Sequence, residues 1–250
     1  MTIGILFVIL LLFAAYYYGS LSRSGFYGAL IMGIIVTLIG SWRFLFPLAA
    51  FFILSSLLSK IVKNTSFYQT KGSARDIVQV YANGGIALLI CIFDFIQPNA
   101  INFFLFLASI SAAMSDTWAT EIGKISQKRP ISIVNFIPMD HGLSGGITRI
   151  GIIGSLLGSS LFGFTIWCVI PIPSFIVYGI ILCGFVGSIF DSFLGATIQA
   201  KYETQTGEII ESAQDGAVFI SGISWVNNDM VNLMNTAFAT VLMYFYLELF

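Results

Sequence analysis

One stretch, residues 101–124, reads INFFLFLASISAAMSDTWATEIGK and decides the fold class. Its first part, from Ile101 to Met114, carries no charged side chain, and Asp116 follows almost at once. A helix needs about 20 mostly apolar residues to cross the hydrocarbon core of a bilayer. An ionisable group inside such a helix is costly and by default marks a functional site. The stretch therefore predicts a spanning helix with a functional carboxylate, and Asp191 repeats the feature in a second apolar run.

The composition of the whole chain agrees with a membrane protein. Its 250 residues are 57% hydrophobic and only 9% charged, and the mean hydropathy is +0.92. Soluble domains carry about 25% charged residues. The net charge of −1 gives no basis for a nucleic-acid partner. The three cysteines lie in apolar runs without metal-ligand spacing, so we predict that they are packing residues.

The apolar runs predict an all-α, polytopic helix bundle with about seven or eight transmembrane helices in one domain, residues 1–250. Prolines at Pro98, Pro171 and Pro173 predict tight turns between antiparallel helices. Residues 213–226 are too few for a comfortable crossing, and we predict a re-entrant or broken helix there. The candidate spans are 3–18, 25–40, 44–58, 77–96, 101–120, 150–170, 175–199 and 231–250.

The basic residues predict an orientation. If the spans alternate, Arg43 alone falls on one side, and the other ten of the 11 lysines and arginines fall on the opposite side. Cytoplasmic loops are enriched in Lys and Arg, so that second side is the predicted cytoplasmic face and the N-terminus lies outside. The polar loops 59–76, 124–149 and 200–212 then face the cytosol, and a ligand would arrive from there.

Asp116 and Asp191 also suggest an internal repeat. Each follows an apolar run and precedes a hydroxyl residue, Thr117 or Ser192, in a helix that returns to the predicted cytoplasmic face. Internal repeats are common in membrane proteins with sites near the middle of the bilayer. The match is short, and chance is an alternative.

A polar stripe opens the fourth span. Arg75, Gln79 and Asn83 are four residues apart and share a helical face, and Lys71 precedes them. One reading is a polar seam between helices, where amides bond across the contact. The functional reading is a basic entrance to a polar pocket, in which Lys71 and Arg75 bind phosphate oxygens.

Glu121 and Lys124 follow Asp116 on the same predicted helix. Asp116 and Glu121 are about 140° apart around the axis, so they cannot both bind one ion on a regular helix. Mg²⁺ is usually held by one or two carboxylates together with substrate phosphates, so sparse carboxylates suit a magnesium–nucleotide site. The alternative is an ion pair between Glu121 and Lys124 with a structural role only.

Two further segments carry polar side chains. A glycine-rich turn leads into the sixth span, where helix N-terminal amides make an anion site; a loop capped by Ser or Thr is the alternative. Asn228, Asn232 and Asn235 form a stripe near Asp229, which predicts a cavity lining in preference to a polar seam. Ser192 and Gln199 lie seven residues apart on the Asp191 helix. The candidate residues of the turn are Ser144, Gly145, Gly146, Thr148 and Arg149.

These motifs together resemble the integral membrane family of transmembrane protein 19 and plant phytyl-phosphate kinase. The similarity covers Arg75-Asp76 with Gln79 and the Ala82–Gly85 segment, and residues 115–123, 144–148, 191–199 and 227–232. One departure is Leu143-Ser144, where the family often has Thr-Asn. The resemblance implies a catalytic core at 71–235, preceded by N-terminal helices at 1–60. The pattern around Asp116 is also loosely similar to CTP-dependent lipid kinases such as dolichol kinase.

The resemblance implies a kinase that converts an isoprenyl monophosphate, such as phytyl or geranylgeranyl phosphate, to its diphosphate. The expected donor is CTP or ATP with Mg²⁺. Alternatives are a transporter or scramblase of a lipid phosphate or small polar solute, and a non-catalytic subunit of a membrane assembly; a homodimer is left open. The expected catalytic residues are Asp116, Glu121 and Lys124, and the expected metal ligands are Asp116, Asp191 and Asp229. The expected phosphate-binding residues are Lys71, Arg75, Gln79, Asn83, Ser144, Gly145, Gly146, Thr148, Arg149, Ser192, Gln199, Asn228 and Asn232.

Overall fold

The structure, a computed structural model, describes residues 2–63 and 74–250. These residues form eight helices, of which six are long and apolar enough to cross a membrane; α1 and α2 are shorter apolar helices. The predicted all-α polytopic bundle is confirmed, and the chain is an integral membrane protein. The helices are α1 (Thr2–Tyr17), α2 (Arg23–Ile39), α3 (Ser41–Lys63), α4 (Ile77–Ile96), α5 (Ala100–Gly123), α6 (Arg149–Val169), α7 (Ser174–Thr197) and α8 (Asn228–Leu247).

Short turns at one end of the bundle make successive helices antiparallel. The Pro98 turn separates α4 from α5, and the turn with Pro171 and Pro173 separates α6 from α7, as predicted. Asn99 caps α5 by accepting a hydrogen bond from the Ile101 N–H at 3.0 Å. Arg43 lies at this end, with its guanidinium carbon 4.0 Å from the centre of the Phe103 ring. Tight turns of this kind leave little room for a site here.

Helix α5 is the centre of the bundle. It packs against α3, α4, α6, α7 and α8, and Phe106 and Ile110 are fully buried. Small residues permit close approach of its neighbours: a Cβ added at Gly158 of α6 would lie 2.7 Å from the Trp118 Cβ, and one at Gly184 of α7 would overlap Ser111. Such contacts are typical of helix packing in membranes.

Short strands cover the other end of the bundle, where the long connections gather. Strands β1 (Ile131–Ser132) and β2 (Gly146–Ile147) form an antiparallel pair between α5 and α6. Between α7 and α8, β3 (Lys201–Glu203), β4 (Ile209–Ile210) and β5 (Val218–Ser221) form an antiparallel sheet in the order β4-β3-β5. This loop end carries the polar segments predicted to face the cytosol.

The predicted re-entrant or broken helix at residues 213–226 is wrong. This segment contains β5 and turns, and the side chains of β5 are exposed. Gly216 and Gly222 adopt positive φ values of 80° and 88°, which glycine permits and which interrupt a helix. A Cβ at Gly222 would also overlap the carbonyl of Gln199. The short apolar run in this segment is therefore a strand, and the residue after it packs against the end of α7.

Candidate functional site

Asp116 and Asp191 meet inside the bundle, as predicted. Asp116 lies seven residues before the end of α5, and Asp191 lies six residues before the end of α7. At about 1.5 Å per residue, both lie roughly 10 Å from the loop end of their helices. The two half-buried side chains are close enough for their carboxyl groups to interact directly. Equal depth on two helices that run in the same direction is what brings them together.

Asn235 of α8 completes the surroundings of the pair. It lies seven residues after the start of α8, and thus at a similar depth, and its amide can donate a hydrogen bond to Asp191. Asn235 is 1% exposed. Within the described ranges, neither carboxylate pairs with a Lys or Arg side chain, and the buried Oδ2 of Asp191 has no hydrogen-bond partner. The pair therefore lacks a balancing cation among the described residues.

This donor set fits Mg²⁺ only if the ligand supplies the remaining oxygens. Two adjacent carboxylates repel each other when both are ionised, and a bound cation removes that repulsion. Residues 2–63 and 74–250 contain no group of three or more His, Cys, Asp or Glu side chains that could hold a metal. An ion held by Asp116 and Asp191 would need phosphate or water oxygens in addition, which is the usual arrangement for magnesium–nucleotide sites.

Asp229, the expected third metal ligand, does not join this pair. It lies in the first turn of α8, six residues or roughly 9 Å along the axis from Asn235. The negative charge of Asp76, at the start of α4, acts on its carboxylate. Asn228 is exposed at the start of α8, and Asn232 is buried between the depth of Asn228 and the depth of Asn235. The stripe therefore runs from the loop end down to the carboxylates, with Asn235 as its inner member.

Glu121 and Lys124 form the ion pair that was the structural alternative. The Lys124 Nζ lies 3.1 Å from the Glu121 Oε1. The Glu121 carboxylate also acts on Arg75, whose guanidinium lies at the start of α4. Burial lowers the pKa of Arg75 from its ordinary value, and the negative charge of Glu121 opposes that shift. Glu121 thus faces the α4 side of α5, while Asp116 faces α7.

Arg75 is fixed by its backbone and reaches between two cavities. Its N–H donates to the Ser20 carbonyl and its carbonyl accepts from the Ser22 N–H, both at 3.0 Å. An apolar cavity of about 80 Å³ lies on one side, and its polar lining consists of Arg75, Gln79 and Asn83. A second cavity of about 120 Å³ lies on the other side.

Gln79 and Asn83 also bond within their own helix. Gln79 forms a capping box with Asp76, which accepts from the Gln79 N–H at 3.0 Å, while the Gln79 Oε1 accepts from the Asp76 N–H at 3.2 Å. The Asn83 Nδ2 donates to the Gln79 carbonyl at 2.9 Å. The remaining donors and acceptors of these side chains stay available to the cavity. Lys71, the other basic residue predicted here, lies outside the described residues.

The glycine-rich turn holds a carboxylate of the protein itself. Glu211, beside β4, accepts hydrogen bonds from the Ser144 N–H, from the Ser144 Oγ at 2.8 Å and from the Gln199 Nε2 at 2.9 Å. Gly145 has a φ of 87°, and a Cβ there would overlap Ala196 of α7. The turn therefore presents donors to an anion, and Glu211 is that anion.

The remaining candidates have local structural contacts. Thr148 caps α6 by accepting from the Gly151 N–H at 3.0 Å, as the structural alternative predicted. Gly146 belongs to β2, and Arg149 is exposed at the first position of α6. The Ser192 Oγ donates to the Ser188 carbonyl at 3.4 Å. None of these contacts brings the four residues to the carboxylate pair.

Sequence reasoning did not assign Glu211, Lys60 and Lys63. Glu211 lies in a polar loop that has no motif around it. Lys60 and Lys63 were counted only for orientation, although their spacing on the end of α3 places them near one face. That spacing, beside the polar start of α4, was the available signal.

Comparison with known proteins identifies the family of this chain. The family model described as integral membrane protein DUF92 matches residues 6–240. The chain belongs to the DUF92 family of integral membrane proteins. This agrees with the family resemblance inferred from the motifs. No solved structure matches the chain.

Several DUF92-like relatives cover most of the chain. An uncharacterized membrane protein of Methanocaldococcus jannaschii is 30% identical over 72% of this chain and 76% of its own length. Protein PGR of Arabidopsis thaliana is 28% identical over 92% of this chain and 91% of its own length. Protein VTE6, chloroplastic, of Arabidopsis thaliana is 25% identical over 88% of this chain and 63% of its own length.

Proposed function

We propose that this DUF92 protein is a membrane kinase that converts an isoprenyl monophosphate to its diphosphate, with CTP or ATP as donor. One observation carries the proposal: Asp116 and Asp191 meet at one depth without a cationic partner among the described residues. Unpaired carboxylates inside a bilayer are costly and are retained for function. The family resemblance to plant phytyl-phosphate kinase indicates which function that is.

The carboxylate pair would hold Mg²⁺ through Asp116 and Asp191. When bound, the ion would neutralise charge on the transferring phosphoryl group, which is a main requirement of phosphoryl transfer. Asn235 orients Asp191 by donating to it, and the packing of α5, α6 and α7 fixes both carboxylates. We leave Asp229 out of the metal site because it lies near Asp76 and away from the pair.

The remaining chemistry needs binding and orientation and no strong base. The acceptor is already an anionic phosphate oxygen, so a general base is not required to activate it. Arg75 neutralises phosphate charge, and Glu121 and Lys124 hold the end of α5 beside it. Ser144 and Gln199 donate hydrogen bonds to Glu211, and these bonds position the β3–β5 sheet at the loop end.

The site would open toward the cytosol. The polar connections of the described residues gather at the loop end, and the distribution of Lys and Arg supports a cytoplasmic position for that end. The N-terminus would then lie outside the cytoplasmic membrane. A nucleotide from the cytosol and a lipid from the bilayer could both reach the region between Arg75 and the carboxylates.

The test is a transfer assay with the purified chain. It is incubated with Mg²⁺, labelled CTP or ATP, and phytyl, geranylgeranyl or farnesyl monophosphate, and we expect a labelled isoprenyl diphosphate. The variant Asp116→Asn should lose transfer and keep the fold, whereas the matched variant Asp215→Asn, in an exposed loop, should keep both. No diphosphate from any pair, with movement of lipid phosphate across liposomes, would instead favour a transporter or scramblase.

A further inference from the structure

Arg75 separates two cavities of opposite character. The cavity between α1, α2, α3 and α4 is lined mainly by apolar side chains, among them Val8, Met32 and Phe52. The cavity on the other side is lined by Lys60, Lys63, Ser56 and Ser59, together with the Tyr18–Ser20 segment. An amphiphile has the same two parts, a chain and a headgroup.

The basic cavity is built to hold an oxyanion. The Arg75 Nη1 donates to the Ser56 Oγ at 3.3 Å, and the Lys60 Nζ lies 4.4 Å from the centre of the Tyr18 ring. No carboxylate of residues 2–63 or 74–250 forms an ion pair with Lys60, Lys63 or Arg75 within 4.0 Å. Among the described residues, three cations and two serine hydroxyls line a space whose lining contains no carboxylate, and phosphate oxygens suit such donors.

The apolar cavity lies where two of its lining helices are not packed together. Helices α3 and α4 both line it, yet they make almost no direct contact with each other. A single water takes about 10–15 Å³ of such a volume, so about 80 Å³ holds roughly six groups of that size. The cavity therefore accommodates about one isoprene unit, and the rest of a longer chain would leave between α3 and α4 into the bilayer.

We propose that Arg75, Lys60 and Lys63 bind the phosphate of a single-chain lipid whose first isoprene unit fills the cavity between α3 and α4. The guanidinium of Arg75 lies 5.8 Å from the Phe52 ring centre, and Arg75 lines both the apolar cavity and the basic cavity. This site, and not the carboxylate pair, recognises the acceptor. The inference locates the acceptor of the proposed kinase and so rests on that function for its role.

Direct binding tests the site without any transfer step. The full chain is reconstituted in nanodiscs of phosphatidylcholine, and binding of radiolabelled geranylgeranyl monophosphate is measured without nucleotide or Mg²⁺. We expect saturable binding in which unlabelled geranylgeraniol or inorganic phosphate alone competes at least about tenfold less well, because each supplies only one half of the contacts.

One variant tests the basic cavity and another tests the apolar cavity. Lys60→Gln with Lys63→Gln should weaken binding at least about tenfold, because charged hydrogen bonds are lost. The control Lys128→Gln removes an exposed lysine outside the cavity and should bind as the native chain does. Ala29→Leu, which fills the apolar cavity, should weaken binding, whereas Ala14→Leu on an exposed face should not.

The outcomes separate this inference from the kinase proposal. Normal binding by the double lysine variant overturns the inference, whatever the transfer assay gives. Equal competition by inorganic phosphate would show a free-anion site and also overturns it. Binding that depends on both halves, in a chain that forms no diphosphate, supports the lipid site and counts against the kinase.

Discussion

Helices α5 to α8 pack through glycine and serine, whereas α3 and α4 leave a cavity between them. In the first region a Cβ at Gly158 or Gly184 has no room, and the Ser115 Oγ donates to the Ser155 carbonyl at 2.9 Å. In the second, the lining is apolar and the two helices barely touch. In the proposed function, the packed region holds the two carboxylates at fixed positions, and the loose region binds the lipid chain.

The largest expected effect is on chemistry in the packed region. Asp191→Asn should lower transfer at least about a hundredfold, because a preorganised charged group that stabilises the reacting phosphate is lost. Thermal unfolding should change little, since the amide keeps the shape and can bond to Asn235. Steady-state kinetics with geranylgeranyl monophosphate measure the rate, and a rate within threefold of the native value would remove Asp191 from the mechanism.

A smaller effect on rate is expected at the border between the regions. Arg75→Lys keeps the charge but loses the planar fork that binds two phosphate oxygens. We expect about a tenfold loss of kcat/KM, mostly through KM, because binding of the acceptor is weakened. The exposed Arg129→Lys is the control. An unchanged KM for the lipid would place the acceptor away from Arg75.

Stability should respond in the packed region and not in the loose one. Gly158→Ala places a methyl group 2.7 Å from the Trp118 Cβ and should cost about 1–3 kcal/mol. Ala29→Leu adds more atoms but fills a cavity, and its cost should be close to zero. Thermal unfolding in detergent measures both. Equal losses in the two variants would contradict the difference in packing.

The smallest effect is expected at the loop end. Glu211→Ala leaves the Ser144 and Gln199 donors without their acceptor, at a cost of about 1 kcal/mol. Glu208→Ala, on an exposed neighbour, should be neutral. Protease sensitivity of the 201–221 region reports the change, and an unaltered cleavage pattern in Glu211→Ala would show that Glu211 does not anchor the strands.

The sequence alone predicted the helices and the meeting of Asp116 with Asp191. Apolar runs mark the helices, and the distance of each Asp from the end of its helix can be read from the local sequence. It did not predict that Asp229 lies elsewhere, since that depends on where α8 begins. The strand β5 was missed because four residues, three of them apolar, fit a strand or part of a helix equally well. The contact of Glu211 with Ser144 joins residues far apart in the chain, and no spacing rule reveals it.

The central claim is that Asp116 and Asp191 hold one divalent ion together with a nucleotide. Electron paramagnetic resonance of Mn²⁺, used in place of Mg²⁺ with a non-hydrolysable CTP or ATP analogue, tests it directly in the purified chain. We predict a bound Mn²⁺ signal in the native protein and in Asp215→Asn, and its loss in both Asp116→Asn and Asp191→Asn. Retention of the native signal in either of those two variants would contradict the account.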